Sequence, residues 1–140
     1  MIKDTIHVSR YTPPPQSDAS ADPEEPWILL GGTPSTCSNI AIHNLYPNKV
    51  DLVLSGPNYG RNTSSAFALS SGTVGAALTA SMAGVPAIAL SYGVFQRPVE
   101  DRILAKANEI ACTVIRKMCE CARMILRMRM AHRADAMPRT

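Results

Sequence analysis

A chain of 140 residues with 46% hydrophobic and 18% charged side chains is long enough for one domain with a packed core and too short for two. Aromatics at 5% leave that core to Val, Ile, Leu, Ala and Met. Net charge is mild at +3, the basic excess lies after Ile115, and no aromatics are interleaved with it for base stacking, so nucleic acid is not an expected partner.

Residues 1–26 are polar and proline-rich, with Pro13, Pro14 and Pro15 together ahead of QSDASADPEEP, and read as a loop or extended arm rather than a packed element. Trp27 to Leu30 is a short apolar run that reads as a strand, and Gly31-Gly32 turns the chain. Thr33-Pro34 has the form of an N-cap followed by Pro at the first helical position, opening a helix to about Leu45. Cys37, Ile40, Ala41 and Leu45 follow its period.

Asp51 to Ser55 reads as the next strand, whose unbroken Leu-Val-Leu suits burial on both faces of a parallel sheet. Thr73 to Ala83 is predicted helical, with Gly75, Ala76, Ala77, Ala80 and Ala83 allowing close approach to the sheet and Gly84 ending it. Pro86 to Ser91 is a third apolar strand. From about Pro98 a long helix carries Ile103, Leu104, Ala107, Ile110, Ala111, Val114 and Ile115 at 3–4 spacing. The order β-α-β-α-β-α is that of a doubly wound α/β fold. Residues 117–140 read as a separate Met- and Arg-rich tail.

No run is long and apolar enough to cross a membrane, and MIKDTIHVSRYTPPPQ lacks a hydrophobic signal region. Cys37, Cys112, Cys119 and Cys121 are therefore expected as reduced thiols, and the chain as cytoplasmic. Cys119-x-Cys121 lacks the second ligand pair of a structural metal site.

The run DLVLSGPNYGRNTSSAFALSSGT, residues 51–73, carries the chemistry. An apolar strand ends in a loop of Gly, Asn and Ser that feeds a small-residue helix, the arrangement by which α/β folds build anion sites from backbone N–H groups and the helix dipole. Ligands in parallel sheets lie beyond the carboxyl ends of the strands. Ser55, Gly56, Asn58, Tyr59, Gly60, Asn62 and Ser91 can thus share one rim, with Arg61 beside them. Each has a plainer alternative. Asn and Gly serve turns, Ser71 or Thr73 caps a helix, Arg61 is a solvated charge, and His43 is a surface or core residue rather than a general acid.

Four linked segments give a resemblance: GTPSTC at 32–37, DLVLSGPNYGRN at 51–62, SSGTVGAA at 70–77 and GVPAIALS at 84–91. Over about residues 27–116 the chain resembles the survival-protein SurE-like phosphatase/nucleotidases, and SGPNYGRNTS is most similar to the fungal branch. The resemblance implies a Rossmann-like three-layer α/β/α sandwich, usually dimeric or larger, and metal-dependent hydrolysis of a nucleoside monophosphate or other phosphomonoester. It implies a divalent ion (Mg²⁺ or Mn²⁺) with Asn58 on a metal-ligand position. Gly60, Asn62, Ser71, Gly72 and Thr73 fall on the phosphate and substrate side. The implied partners are the phosphomonoester and further copies of the chain, with no membrane or nucleic acid.

The chain also departs from that pattern. The family opens with a strand ending in NDDG, whose aspartates hold the metal, and no NDDG stands here; Asp4, Asp22, Glu24 and Glu25 lie in other surroundings. The catalytic residues are thus unassigned, and the first β-α-β portion of the fold is expected to be lacking. Two readings follow. One is a SurE-like phosphatase that is inactive as this chain. The other is a non-catalytic nucleotide- or phosphate-binding or interaction protein derived from that family, whose basic tail engages an acidic partner, a membrane surface or calmodulin.

Overall fold

The computed structural model describes residues 5–12, 26–94 and 98–135, with the backbone alone from 125 onward. It is an α/β structure with a parallel strand pair and helices. The chain divides into two compact units, residues 1–93 and 94–140.

The first unit opens with strand β1, Val8–Tyr11, antiparallel to β2, Trp27–Leu30. The expected arm therefore contains a strand at residues 8–11, while Pro13–Pro15 and the acidic run after them lie outside the described residues. β2 joins β1 rather than the central sheet, so the strands form two separate pairs. Tyr11 and Trp27 close the ribbon edge to face, their ring centroids 6.1 Å apart.

Helix α1, Pro34–Ile40, begins as the sequence predicts. Thr33 Oγ1 accepts the Thr36 N–H at 3.2 Å, and Pro34 takes a first-turn position where no N–H is needed. The helix widens into a π turn at Ala41–Leu45, closed by Tyr46 N–H to the Ala41 carbonyl at 2.9 Å.

Strand β3, Val53–Tyr59, pairs in parallel with β4, Ala87–Tyr92. Between them lie α2, Ser65–Ser70, and α3, Gly72–Met82. Sequence reading leaves α2 inside the loop, because TSSAFALSS looks polar and has no stripe. α3 packs on both strands and on α1. Its buried residues Ala76, Ala77 and Ala80 are small, so the backbones come close. With Ile42 of the π turn and Ser38 of α1 they form the buried centre of this unit. α3 ends in a Schellman arrangement, with Gly84 N–H to the Ser81 carbonyl at 3.0 Å and Val85 N–H to the Ala80 carbonyl at 3.0 Å.

The expected two-sided burial of Leu-Val-Leu is corrected. Val53 is half-buried, but Leu52 and Leu54 are 36% and 46% exposed. α3 packs against both strands of the pair, and within this unit the described strands add no third strand to it.

Among its described residues the second unit holds one helix, α4, Asp101–Asp135. Asp101 lies in its first turn, where a carboxylate favours the dipole. Lys106 and Glu109 pair at 2.7 Å on its exposed surface. The helix runs on through the predicted tail as far as Asp135. No described helix is long and apolar enough to cross a membrane.

Candidate phosphate site

The parallel register brings the carboxyl ends of β3 and β4 to one rim. Val53, Leu54 and Ser55 face Ala87, Ile88 and Ala89 in order; after an irregularity, Asn58 faces Ser91 and Tyr59 faces Tyr92. The irregularity holds Gly56 and Pro57, joined by a cis peptide bond. Gly56 has φ +122°, and a Cβ there would stand 2.3 Å from the Leu90 carbonyl oxygen. Only glycine lets β3 pass β4 this closely before reaching Asn58.

Beyond the strands, Gly60 N–H donates to the Tyr92 carbonyl at 3.1 Å. A cavity of about 280 Å³ opens here. Gly60, Arg61, Asn62 and Thr63 line it from the loop, Ala89, Ser91 and Gly93 from β4 and its exit, and Val74 from α3. The wall is thus a glycine-bearing loop, one cationic side chain, two hydroxyls and one amide.

The polar groups are held in place. Asn62 Nδ2 donates to Ser91 Oγ at 2.7 Å, a bond between residues 29 apart in sequence. Asn58 Nδ2 donates to the Gly60 carbonyl at 3.4 Å, which leaves Oδ1 as its acceptor. Ser71 Oγ accepts the Val74 N–H at 3.3 Å and so caps α3. Gly72 and Thr73 form the first turn of that helix.

The structure therefore gathers Gly60 and Asn62, with Ser91 and Arg61, around one cavity. Asn58 stands opposite Ser91 in the ladder without lining the cavity. Ser71, Gly72 and Thr73 do not line it either; Val74, the residue after them, does. Thr63, Val74, Ala89 and Gly93 were not singled out in the sequence. For Gly93 the signal was its place at the exit of a strand whose end was already predicted. For Val74 there was none, since an apolar residue in a helix reads as core.

His43 lies elsewhere. It lines a different cavity with Val50 and Val85, which precede β3 and β4, at the amino ends of the strands. The four cysteines are free thiols. Among the described residues no group of three or more His, Cys, Asp or Glu side chains gathers as a metal ion would require.

Comparison with known proteins agrees with the motif pattern. The family model described as "Survival protein SurE" matches residues 2–134, reaching further in both directions than the four motifs. A Saccharomyces cerevisiae protein described as "Probable tubulin--tyrosine ligase PBY1" is 45% identical over 95 residues, covering 66% of this chain and 13% of that protein. The 5'-nucleotidase SurE of Prochlorococcus marinus is 48% identical over 65 residues, 46% of this chain and 24% of the relative. That of Pyrobaculum arsenaticum is 37% identical over 110 residues, 77% of this chain and 39% of the relative. The matches thus cover well under half the length of each of these relatives.

Proposed function

The chain belongs to the survival protein SurE family, and on that premise we propose that it carries the phosphate-binding side of a SurE-type phosphomonoesterase of the 5'-nucleotidase kind. The observation that carries this reading is the cavity at the carboxyl ends of β3 and β4, where Asn62 and Ser91 are hydrogen-bonded to each other beside Arg61. Backbone and side-chain N–H groups, hydroxyls and a guanidinium are donors, which suits the acceptor oxygens of a phosphoryl group. The α3 N-terminus, capped by Ser71, adds a favourable dipole for an anion on this side of the sheet.

The donor set does not fit a divalent metal by itself. Mg²⁺ and Mn²⁺ take hard oxygen ligands, with carboxylates supplying most of the affinity. Asn58 Oδ1 is a neutral oxygen, and among the described residues no cluster of three carboxylate, imidazole or thiolate groups accompanies it. No catalytic step is therefore drawn through a metal on these residues. The chain binds and orients a phosphomonoester; metal-assisted hydrolysis calls for anionic ligands that the cavity residues lack.

The test is turnover of p-nitrophenyl phosphate and of a nucleoside monophosphate with Mg²⁺ or Mn²⁺, beside direct phosphate binding. The expected result is binding with little turnover. Robust metal-dependent turnover abolished by Asn58→Ala would overturn the assignment of a binding role without catalysis. The second reading, a non-catalytic nucleotide- or phosphate-binding or interaction protein derived from that family, draws on the same observation of donors without carboxylates, and metal-dependent turnover by the chain would exclude it.

A further inference from the structure

Ser91 is where Asn58 of β3 and Asn62 of the loop after it meet β4. It stands opposite Asn58 in the parallel ladder, and its Oγ accepts the 2.7 Å hydrogen bond from Asn62. Ser91 and Asn62 are both half-buried, and both line the 280 Å³ cavity. Ser91 sits on a regular strand, whereas Asn62 sits on the irregular segment between β3 and α2. The bond therefore ties a loop side chain to a fixed point.

We propose that Ser91 is a positioning residue for Asn62, and that the two together form a two-donor clamp for one oxygen of a phosphoryl group. This deepens the phosphate-binding reading above and rests on it. A carboxamide nitrogen has two N–H groups, and Asn62 gives one to Ser91. A serine hydroxyl has two acceptor positions and one hydrogen; accepting from Asn62 leaves that hydrogen to donate. The pair is then left with one N–H and one O–H on the cavity wall, both donors. Without Ser91 the Asn62 amide can turn about its last torsion and present its carbonyl oxygen instead, which repels an anion. Arg61, on the same wall, adds the positive charge that selects an oxyanion over a neutral acceptor.

The experiment uses the full chain with labelled asparagine side chains, titrated with inorganic phosphate and, separately, with acetate as a different oxyanion. In the wild type the Asn62 side-chain amide signal moves on phosphate addition and less on acetate. Ser91→Ala shifts that signal before any ligand is added and weakens phosphate by about 5- to 10-fold, the loss of one anchored hydrogen bond. The backbone amide spectrum away from residues 58–63 and 89–93 stays in place, which separates positioning from general unfolding. Ser91→Thr keeps the hydroxyl and restores both the signal and the affinity to within about twofold. Unchanged phosphate affinity in Ser91→Ala, with phosphate still bound near Arg61, overturns the clamp and leaves the phosphate-binding reading standing. Absence of phosphate binding by the wild type overturns both, even if Ser91→Ala still moves the Asn62 signal.

Discussion

Ser38 is 7% exposed on α1, and its Oγ has no hydrogen-bond partner among the described residues. A buried hydroxyl without a partner keeps its desolvation penalty with nothing in return. Ser38→Ala is therefore expected to raise stability by about 1 kcal/mol, read as a higher urea midpoint at unchanged slope. Gly56→Ala should do the opposite. Its φ of +122° and the Leu90 carbonyl at 2.3 Å from a Cβ leave no room to adjust, because the obstacle is backbone. A loss of about 2 kcal/mol or more is expected in the same denaturation series. Gly72 and Gly75 form a sharper pair, because each would bring a Cβ to 2.8 Å from α1. At Gly72 the obstacle is the Pro34 ring, which cannot move aside; at Gly75 it is the Ser35 hydroxyl, which can rotate. Gly72→Ala should cost about 1–3 kcal/mol by overpacking. Gly75→Ala should be close to neutral, since alanine's gain of about 1 kcal/mol in helix propensity offsets the adjustment.

At the scale of elements, the caps decide how a family site residue can be separated from a structural one. Ser71 caps α3 through the Val74 N–H, and Ser64 caps α2 through the Phe67 N–H at 3.3 Å. Replacing either with Ala should cost about 1 kcal/mol. Ser71→Asp keeps a capping oxygen and adds a negative charge to the helix N-terminus. The expected outcome is stability within about 0.5 kcal/mol of wild type and weaker phosphate binding; unchanged binding would reduce Ser71 to a cap. Elements whose signals are local were legible in the sequence. Thr33-Pro34 announced α1, the run at 86–91 announced β4, and Gly84 announced the end of α3. β1 was not legible, because Val8–Tyr11 is a strand only through its partner at Trp27–Leu30, across a long connection. α2 was hidden for the reason that its burial is slight: Phe67 is 59% and Leu69 86% exposed, so no stripe was imposed on its sequence. The site was half legible. The loop glycines and asparagines stood out, but the bond joining Asn62 to Ser91 spans 29 residues and depends on the β3–β4 register.

At the scale of the whole molecule, the exposed apolar surface is the dominant property. Besides Leu52 and Leu54, Trp27 is 59%, Leu78 55% and Met82 89% exposed, and on α4 Ile103, Ile110, Val114 and Met118 are each about half exposed. Large apolar side chains left open on the surface mark sites of association. The isolated chain is expected to self-associate with concentration in analytical ultracentrifugation, and Leu54→Thr, at an exposed position of β3, should shift that equilibrium toward monomer without changing phosphate binding. A monomer at all concentrations would contradict this. Both features meet in one picture: a candidate phosphate rim on a two-strand sheet that leaves Leu52 and Leu54 exposed, in a chain whose matches cover 13% to 39% of the length of the relatives described above.

The measurement that tests this picture most directly is a backbone amide titration of the wild-type chain with a nucleoside monophosphate and no metal. Saturable shifts confined to residues 60–63, 72–74 and 91–93 are expected, weakened by Arg61→Ala or Asn62→Ala and nearly reproduced by inorganic phosphate. Shifts centred instead on His43, Tyr46 and Val85 at the opposite end of the strands, or no saturable shift at all, would contradict it.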